Sequence, residues 1–239
     1  HKSWYRQFGC VFGDEAHGAK AMCLIQIMSC LETCKYRFGT TGTLDDQLLN
    51  RSTITGLFGP IFQAVTTKQL MDQGFVSKLK IKCIVLKYPE DVAKQLKGGT
   101  YDEEIKHIVH CDARNKFITN LVLSLKGNKL VFFRIIEHGK ILYALVDAKA
   151  PGKVFYIDGG VKGDVRESIR HSIEDEEDCV LLASLGTTST GVSINKLHHM
   201  IAASPSKSKI KVLQAIGRMM RMHDSKDEAV LYDIADDLS

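Results

Sequence analysis

The chain has 239 residues, 44% of them hydrophobic and 25% charged, with a formal net charge of +4. That length fits one large domain or two modest ones, the apolar fraction excludes a disordered tail, and no apolar run approaches the roughly eighteen residues that span a bilayer. From Ala113 onward 18 lysines and arginines face 16 acids, so each half carries about +2 and charge alone does not select a nucleic-acid partner.

Seven cysteines (10, 23, 30, 34, 83, 111 and 179) contain no CxxC pair, which fits a reduced, cytoplasmic chain. Cys30 and Cys34 lie four apart on a predicted helix with no second pair at zinc spacing, so no metal site is expected from them. His107 and His110 read as solvated positions on a polar helix. There is no targeting segment, and the first residue is His1 rather than methionine, so the expectation is a piece cut from a longer chain.

In chain order, Phe8 to Phe12 reads as a buried strand, Lys20 to Leu31 as a helix, Tyr36 to Thr40 as a strand and Asp45 to Leu57 as a helix. Gly59-Pro60 breaks the pattern, and Ile81 to Lys87 is a further strand. Tyr88 to Cys111 reads as a connector with some helix. A second alternating series opens with Asp112 as N-cap of a helix over Arg114 to Leu125. Strands are predicted at 129–133, 154–157, 180–184, 199–203 and 229–234, with helices at 136–146, 164–174 and 207–222. The acidic run 174–178 reads as a solvated loop. The class is α/β, a parallel sheet covered by helices.

Asp14-Glu15-Ala16-His17 follows directly on the first apolar run. A carboxylate at the C-terminal end of a buried strand lies where α/β folds bind ligands, and two successive carboxylates can divide nucleotide hydrolysis between them. The first orients Mg²⁺ and the second deprotonates the attacking water. An acidic surface turn would read the same in isolation. Gln214, Arg218 and Arg221 fall on one face of the 207–222 helix, opposite Leu213, Ile216 and Met220. That face presents guanidinium forks suited to phosphate; a solvated amphipathic helix is the plainer alternative. Gly39-Thr40-Thr41-Gly42-Thr43 follows a strand and could sense a neighbouring site through backbone and hydroxyl hydrogen bonds, while the loop from Gly186 to Ser193 follows another and could offer amides and hydroxyls to the phosphates of nucleotide or nucleic acid.

The order of these elements resembles motifs II, III, V and VI of DEAH-type superfamily 2 helicases, in which two RecA-like domains clamp ATP. Within them, Phe38 to Leu44, Leu57 to Phe62, Ser189 to Ser193, Leu197-His198-His199 and Lys207 to Arg218 resemble the UvsW-type recombination helicases of T-even bacteriophages. The resemblance implies two RecA-like parallel-sheet domains, the first truncated at its N-terminus: residues 1–88, a connector over 89–112, and a second domain over 113–239. It implies that Asp14 holds Mg²⁺ through water, that Glu15 is the general base, and that His17 couples the site to inter-domain contacts. Thr41, Gly42 and Thr43 match motif III, which links hydrolysis to domain movement. Thr190, Gly191 and Ser193 match motif V, where many relatives carry an aspartate in place of Ser193. Arg218 and Arg221 match the motif VI arginines, with Arg221 as arginine finger and Gln214 as a nucleotide or inter-domain contact. Phe132, Phe133 and His138 fall in the motif IV region, the phenylalanines reading as buried strand residues.

ATP and Mg²⁺ are the implied cofactors. The implied partner is branched DNA (Holliday junctions, D-loops, R-loops), held mainly through its phosphates, with single-strand-binding or recombination proteins as candidate partners and no membrane. If phage-encoded, the chain works in the host-cell cytoplasm. No GxxxxGK[ST] string occurs: Gly127, Gly139 and Gly152 lie near lysines without the upstream glycine and following hydroxyl. The chain alone is therefore expected to hydrolyse ATP poorly. A non-motor annealing module and a translocase subunit of a restriction or remodelling complex are the competing readings.

Overall fold

The computed structural model describes residues 2–18, 22–44, 48–190, 194–206 and 208–238; the side chains of Lys2 and of residues 188–190 stand outside that description. Two compact units divide at residues 66 and 67.

The first unit runs α1 (Lys2–Tyr5), β1 (Cys10–Gly13), a 3₁₀ turn (Ala16–Gly18), α2 (Met22–Cys30), β2 (Tyr36–Gly39) and α3 (Leu48–Phe58). β1 and β2 pair in parallel, from Cys10 opposite Tyr36 to Gly13 opposite Gly39. The two glycines make room for one ring: a Cβ on Gly13 or Gly39 would come within 2.7 or 2.9 Å of Phe58. Met28, Leu31 and Cys34 form the buried centre, with Tyr5, Phe8, Val11, Leu24 and Leu57 packed against it. Phe12 is 73% exposed and stacks on Phe38 at 5.0 Å, on the other face of the pair. The strand expected over Phe8 to Phe12 therefore begins at Cys10 and is buried on one side only, because strand side chains alternate and the described helices cover only the Val11 face. Cys34 lies beyond the end of α2, where Arg37 bonds the carbonyls of Leu31 and Cys34; the two cysteines do not share a helix.

The second unit begins with α4 (Thr67–Asp72), β3 (Lys78–Lys87), α5 (Glu90–Leu96) and α6 (Tyr101–His110). It continues with α7 (Asp112–Ser124), β4 (Lys129–Phe133), α8 (Ile136–Asp147), β5 (Val154–Ile157), α9 (Gly163–Asp175) and β6 (Val180–Ser184). It closes with α10 (Leu185–Thr190), β7 (His199–Ala202), α11 (Lys209–Met219) and β8 (Glu228–Asp237). Six strands form one sheet in the order β3-β8-β7-β4-β6-β5, every pair parallel. All five residues of β4 and of β6 are buried, the mark of a sheet covered on both faces. Leu130, Phe132, Leu181 and Met200 pack with Ile173 of α9 and Ala215 and Met219 of α11. Val131, Phe133, Leu182 and Ile201 pack with Ile118 and Val122 of α7 and Leu142 of α8.

Several expectations change here. β3 is longer than expected and lies in this sheet, hydrogen-bonded along its whole length to β8, so it does not close the first unit. The stretch read as a connector carries two helices, α6 opening on a capping box in which Thr100 accepts from the Glu103 amide and the Glu103 carboxylate accepts from the Thr100 amide. Asp112 is the first residue of α7, not its cap; Cys111 holds the cap position without a side-chain bond. The Gly186 loop begins as helix α10, because the Ser184 hydroxyl accepts from the Thr187 amide at 3.3 Å as an N-cap does. The acidic run is partly structural: the Glu174 carboxylate accepts from the amides of Asn195 and Lys196, and Asp178, at φ +61°, accepts from the Gly127 amide at 2.6 Å. His107 is half-buried, with its ring edge against Tyr88 and no hydrogen bond to Nε2 among the described residues, and His110 lies 3.6 Å from Glu137.

Candidate functional site

In the first unit the acidic string and the Thr-Gly-Thr loop leave adjacent ends of paired strands, so they meet. The Thr40 amide donates to the Gly13 carbonyl and the Ala16 amide to the Thr40 carbonyl, both at 2.9 Å. One oxygen of Asp14, Oδ1, accepts from the Glu15 amide at 2.8 Å and from the Thr40 hydroxyl at 3.2 Å. Its other oxygen has no partner among the described residues. Glu15 holds φ +51°, a left-handed conformation that is uncommon for a residue with a Cβ and that gathers at functional sites.

His17 joins the two loops. Its Nδ1 lies 2.9 Å from the Thr41 hydroxyl and 3.2 Å from Glu15 Oε2. The Thr41 hydroxyl already donates its hydrogen to the Thr43 carbonyl at 2.8 Å and can only accept from the ring, which places the proton on Nδ1. Gly42 is exposed with open space around it, and the Thr43 hydroxyl is buried with no partner among the described residues. Asp14, Glu15, His17, Thr41 and Thr43 thus form one small constellation in which two carboxylates stay open to solvent.

In the second unit, α10 and α11 lie against each other, at the C-terminal side of strands that flank β4, where open α/β sheets place their ligand crevice. Gln214 and Arg218 are half-buried on α11. The helix ends at Met219, so Arg221 stands beyond it and is not on a helical face with the other two. The buried side of α11 is Ala215 and Met219, with Val212 and Ile216 beside them, while Leu213 is 42% exposed; the packing stripe expected through Leu213, Ile216 and Met220 is rotated accordingly. Thr190 closes α10, and Gly191 and Ser193 lie outside the described residues. Phe132, Phe133 and His138 are fully buried. Among the described residues no group of three or more His, Cys, Asp or Glu side chains could hold a metal ion, and no helix is long and apolar enough to cross a membrane.

Residues 112–223 match the helicase conserved C-terminal domain family. The chain is 40% identical over 238 residues to the ATP-dependent DNA helicase uvsW of Enterobacteria phage T4, covering 98% of this chain and 47% of that protein. Residues 112–223 thus form a helicase conserved C-terminal domain. The crystal structure of T4 UvsW aligns over 100% of this chain and 47% of its own, at 38% identity and a TM-score of 0.59. A fragment of a type I restriction enzyme HsdR subunit from Vibrio vulnificus aligns over 96% of this chain and 44% of its own with a TM-score of 0.72; at 17% identity it shows a shared fold alone. The chain spans about half the length of the curated helicase it matches.

The helicase domain as matched opens at α7 and includes Gln214, Arg218 and Arg221. It does not include β3, although β3 completes the sheet, nor two buried side chains that touch the end of the arginine segment, Ser77 and Lys226. Both escaped sequence reasoning. Lys226 sits in His223-Asp224-Ser225-Lys226-Asp227, a string that reads as a solvated turn, yet it is 5% exposed and burial pushes its amine from the ordinary 10.5 down to about 8. Its contacts are to backbone carbonyls, which leave no mark in composition or spacing.

Proposed function

We propose that this chain supplies motifs II, III, V and VI of an ATP-dependent DNA helicase that works on branched DNA such as Holliday junctions, D-loops and R-loops. Asp14, Glu15 and His17, hydrogen-bonded to the Thr40–Thr43 loop, are the observation that carries the reading. Two solvated carboxylates at the end of paired parallel strands, tied to a hydroxyl-rich loop, suit hydrolysis of a phosphoanhydride better than a plain acidic turn does. The likeness to the T4 helicase across 98% of the chain supports the same assignment.

Glu15 acts as general base on the attacking water, and His17, sharing its Nδ1 proton between Thr41 and Glu15, orients that carboxylate. The free oxygen of Asp14 is a hard, exposed donor and fits Mg²⁺ held through water. When bound, the ion would neutralise phosphate charge. One carboxylate without further protein ligands suits a metal that arrives with its nucleotide, not a caged one. Arg218 and Arg221 supply guanidinium groups to the phosphates, Gln214 a nucleotide contact, and the motif V segment around Thr190, Gly191 and Ser193 a phosphate contact. Thr41, Gly42 and Thr43 transmit the state of the acidic string. DNA contacts are to phosphates, with weak sequence preference.

The test is Glu15→Gln in ATPase-competent protein carrying this sequence. DNA-stimulated turnover is expected to fall about 100-fold or more with nucleotide binding retained, since the amide cannot take the proton. Turnover near wild type would sink the role given to Glu15.

A further inference from the structure

The arginine segment ends on three successive carbonyls, and each is taken by a group outside the helix. The Lys226 ammonium donates to the Met219 carbonyl at 2.6 Å and to the Leu197 carbonyl at 2.8 Å. The Ser77 amide donates to the Met220 carbonyl at 2.7 Å, and the Ser77 hydroxyl to the Arg221 carbonyl at 3.3 Å. Ser77 is 2% exposed. The last carbonyls of a helix have no partners within it, and a cation there also opposes the negative end of the helix dipole.

The donors are themselves anchored. Ser77 immediately precedes β3, and Lys226 closes a tight turn in which its own amide donates to the His223 carbonyl before the chain enters β8. Leu197 precedes β7. Three strands of one sheet therefore fix the backbone of residues 219–221. Arg221 lies one residue past the C-cap of α11, tied to the helix only by its amide, which donates to the Arg218 carbonyl at 3.3 Å.

We propose that Lys226 and Ser77 are positioning residues for Arg221, the last of the motif VI arginines: by holding the carbonyls of Met219, Met220 and Arg221 they set where its side chain is presented to phosphate. The inference rests on the assignment of Arg221 to ATP turnover. It adds two residues on which that assignment depends, one of them, Lys226, outside the matched helicase domain on its C-terminal side and the other, Ser77, on its N-terminal side.

A double-mutant cycle in ATPase-competent protein tests it. Lys226→Met and Ser77→Ala are each expected to lower kcat by about tenfold or more with KM for ATP changed less than about twofold, because the arginine engages as charge develops. In an Arg221→Ala background either substitution is expected to cost less than about twofold more, since residues acting through one group do not add. Ser77→Ala keeps the Ser77 amide on Met220 and reads the coupling even where Lys226→Met fails to fold; an unchanged thermal midpoint certifies that variant. Fully additive losses would overturn the positioning role alone. Wild-type turnover in Arg221→Ala would overturn the assignment of Arg221, and the positioning role with it.

Discussion

His138 sits at 0% exposure between two neutral partners, the Ser204 hydroxyl at 2.9 Å from Nδ1 and Asn115 Oδ1 at 3.0 Å from Nε2. The Asn115 amide nitrogen donates to the Val109 carbonyl, so its oxygen must accept from the ring, and the imidazole is neutral with its proton on Nε2. Burial, helped by the Arg114 cation, pushes its pKa from 6.5 down to about 4. The unfolded chain takes up this proton near pH 6.5 and the fold does not until about 4. Stability from this group is therefore complete above pH 6.5 and falls, by on the order of 3 kcal/mol, as pH drops to about 4. Lys226 has the same sign at the alkaline end: its folded value is depressed to about 8, so stability rises as pH goes from 8 to 10.5. Urea unfolding across pH 4 to 7 checks the first statement. The acid slope of the wild type should exceed that of His138→Gln, and equal slopes would remove His138 as its source. Sequence reasoning located His138 near motif IV. It could not show the ring locked in a core, because both partners come from distant segments.

Among elements, the tie that decides the second unit is Arg114 on α7. Its guanidinium meets both oxygens of Asp236 at the end of β8, at 2.7 and 2.9 Å, and its third contact is the Ala203 carbonyl just beyond β7. Tyr88 donates to the same carboxylate at 2.7 Å, and burial together with Asp236 pushes its phenol well above the ordinary range. The pair is nearly inaccessible, with side chains 1% and 5% exposed. Arg114→Met is expected to cost ~3–5 kcal/mol in denaturant unfolding, since it strands a buried carboxylate, and a loss below about 1 kcal/mol would show that water reaches Asp236. Asn128 is a second knot. Its amide group donates to the carbonyls of Ile173 and Glu176 and accepts from the Cys179 amide, joining the end of α9 to the starts of β4 and β6. Beside it Gly127, at φ +83°, lies so close to His198 that a Cβ would approach the ring to 2.7 Å. Helix and strand periods made α7 to α9 and β4 to β7 legible, within a residue or two at their ends. α6 was legible in part, as helix around His107 and His110, but its start at the Thr100 and Glu103 capping pair was lost in a lysine-rich stretch. Helix α10 was missed because Gly186 and four consecutive hydroxyl residues, 187–190, mimic a loop.

For the whole molecule, the proposed site residues are divided between two units, with Asp14 to Thr43 in the first and Thr190 to Arg221 in the second. The second unit has cores on both faces of a six-stranded sheet. Among its described residues the first has one small cluster, Met28, Leu31 and Cys34, at its buried centre and a stacked pair, Phe12 and Phe38, open to solvent. With no phosphate-loop string in the 239 residues, this chain by itself is expected to turn over ATP ~100-fold or more below protein that carries one, because the amide cradle and lysine that such a loop supplies to the β- and γ-phosphates are missing from it. A coupled phosphate-release assay on the purified chain checks this, and brisk DNA-stimulated turnover would refute it.

The sequence by itself determined the α/β class, the parallel alternation and the ordered motif residues, because periodicity and local motif chemistry are written in neighbouring positions. Tertiary structure alone decided that β3 belongs to the second sheet, that Arg221 stands past its helix, and that Ser77 and Lys226 hold its backbone. Those features depend on hydrogen bonds to main-chain carbonyls, and every residue has the same carbonyl, so the partners cannot be read from side-chain identity.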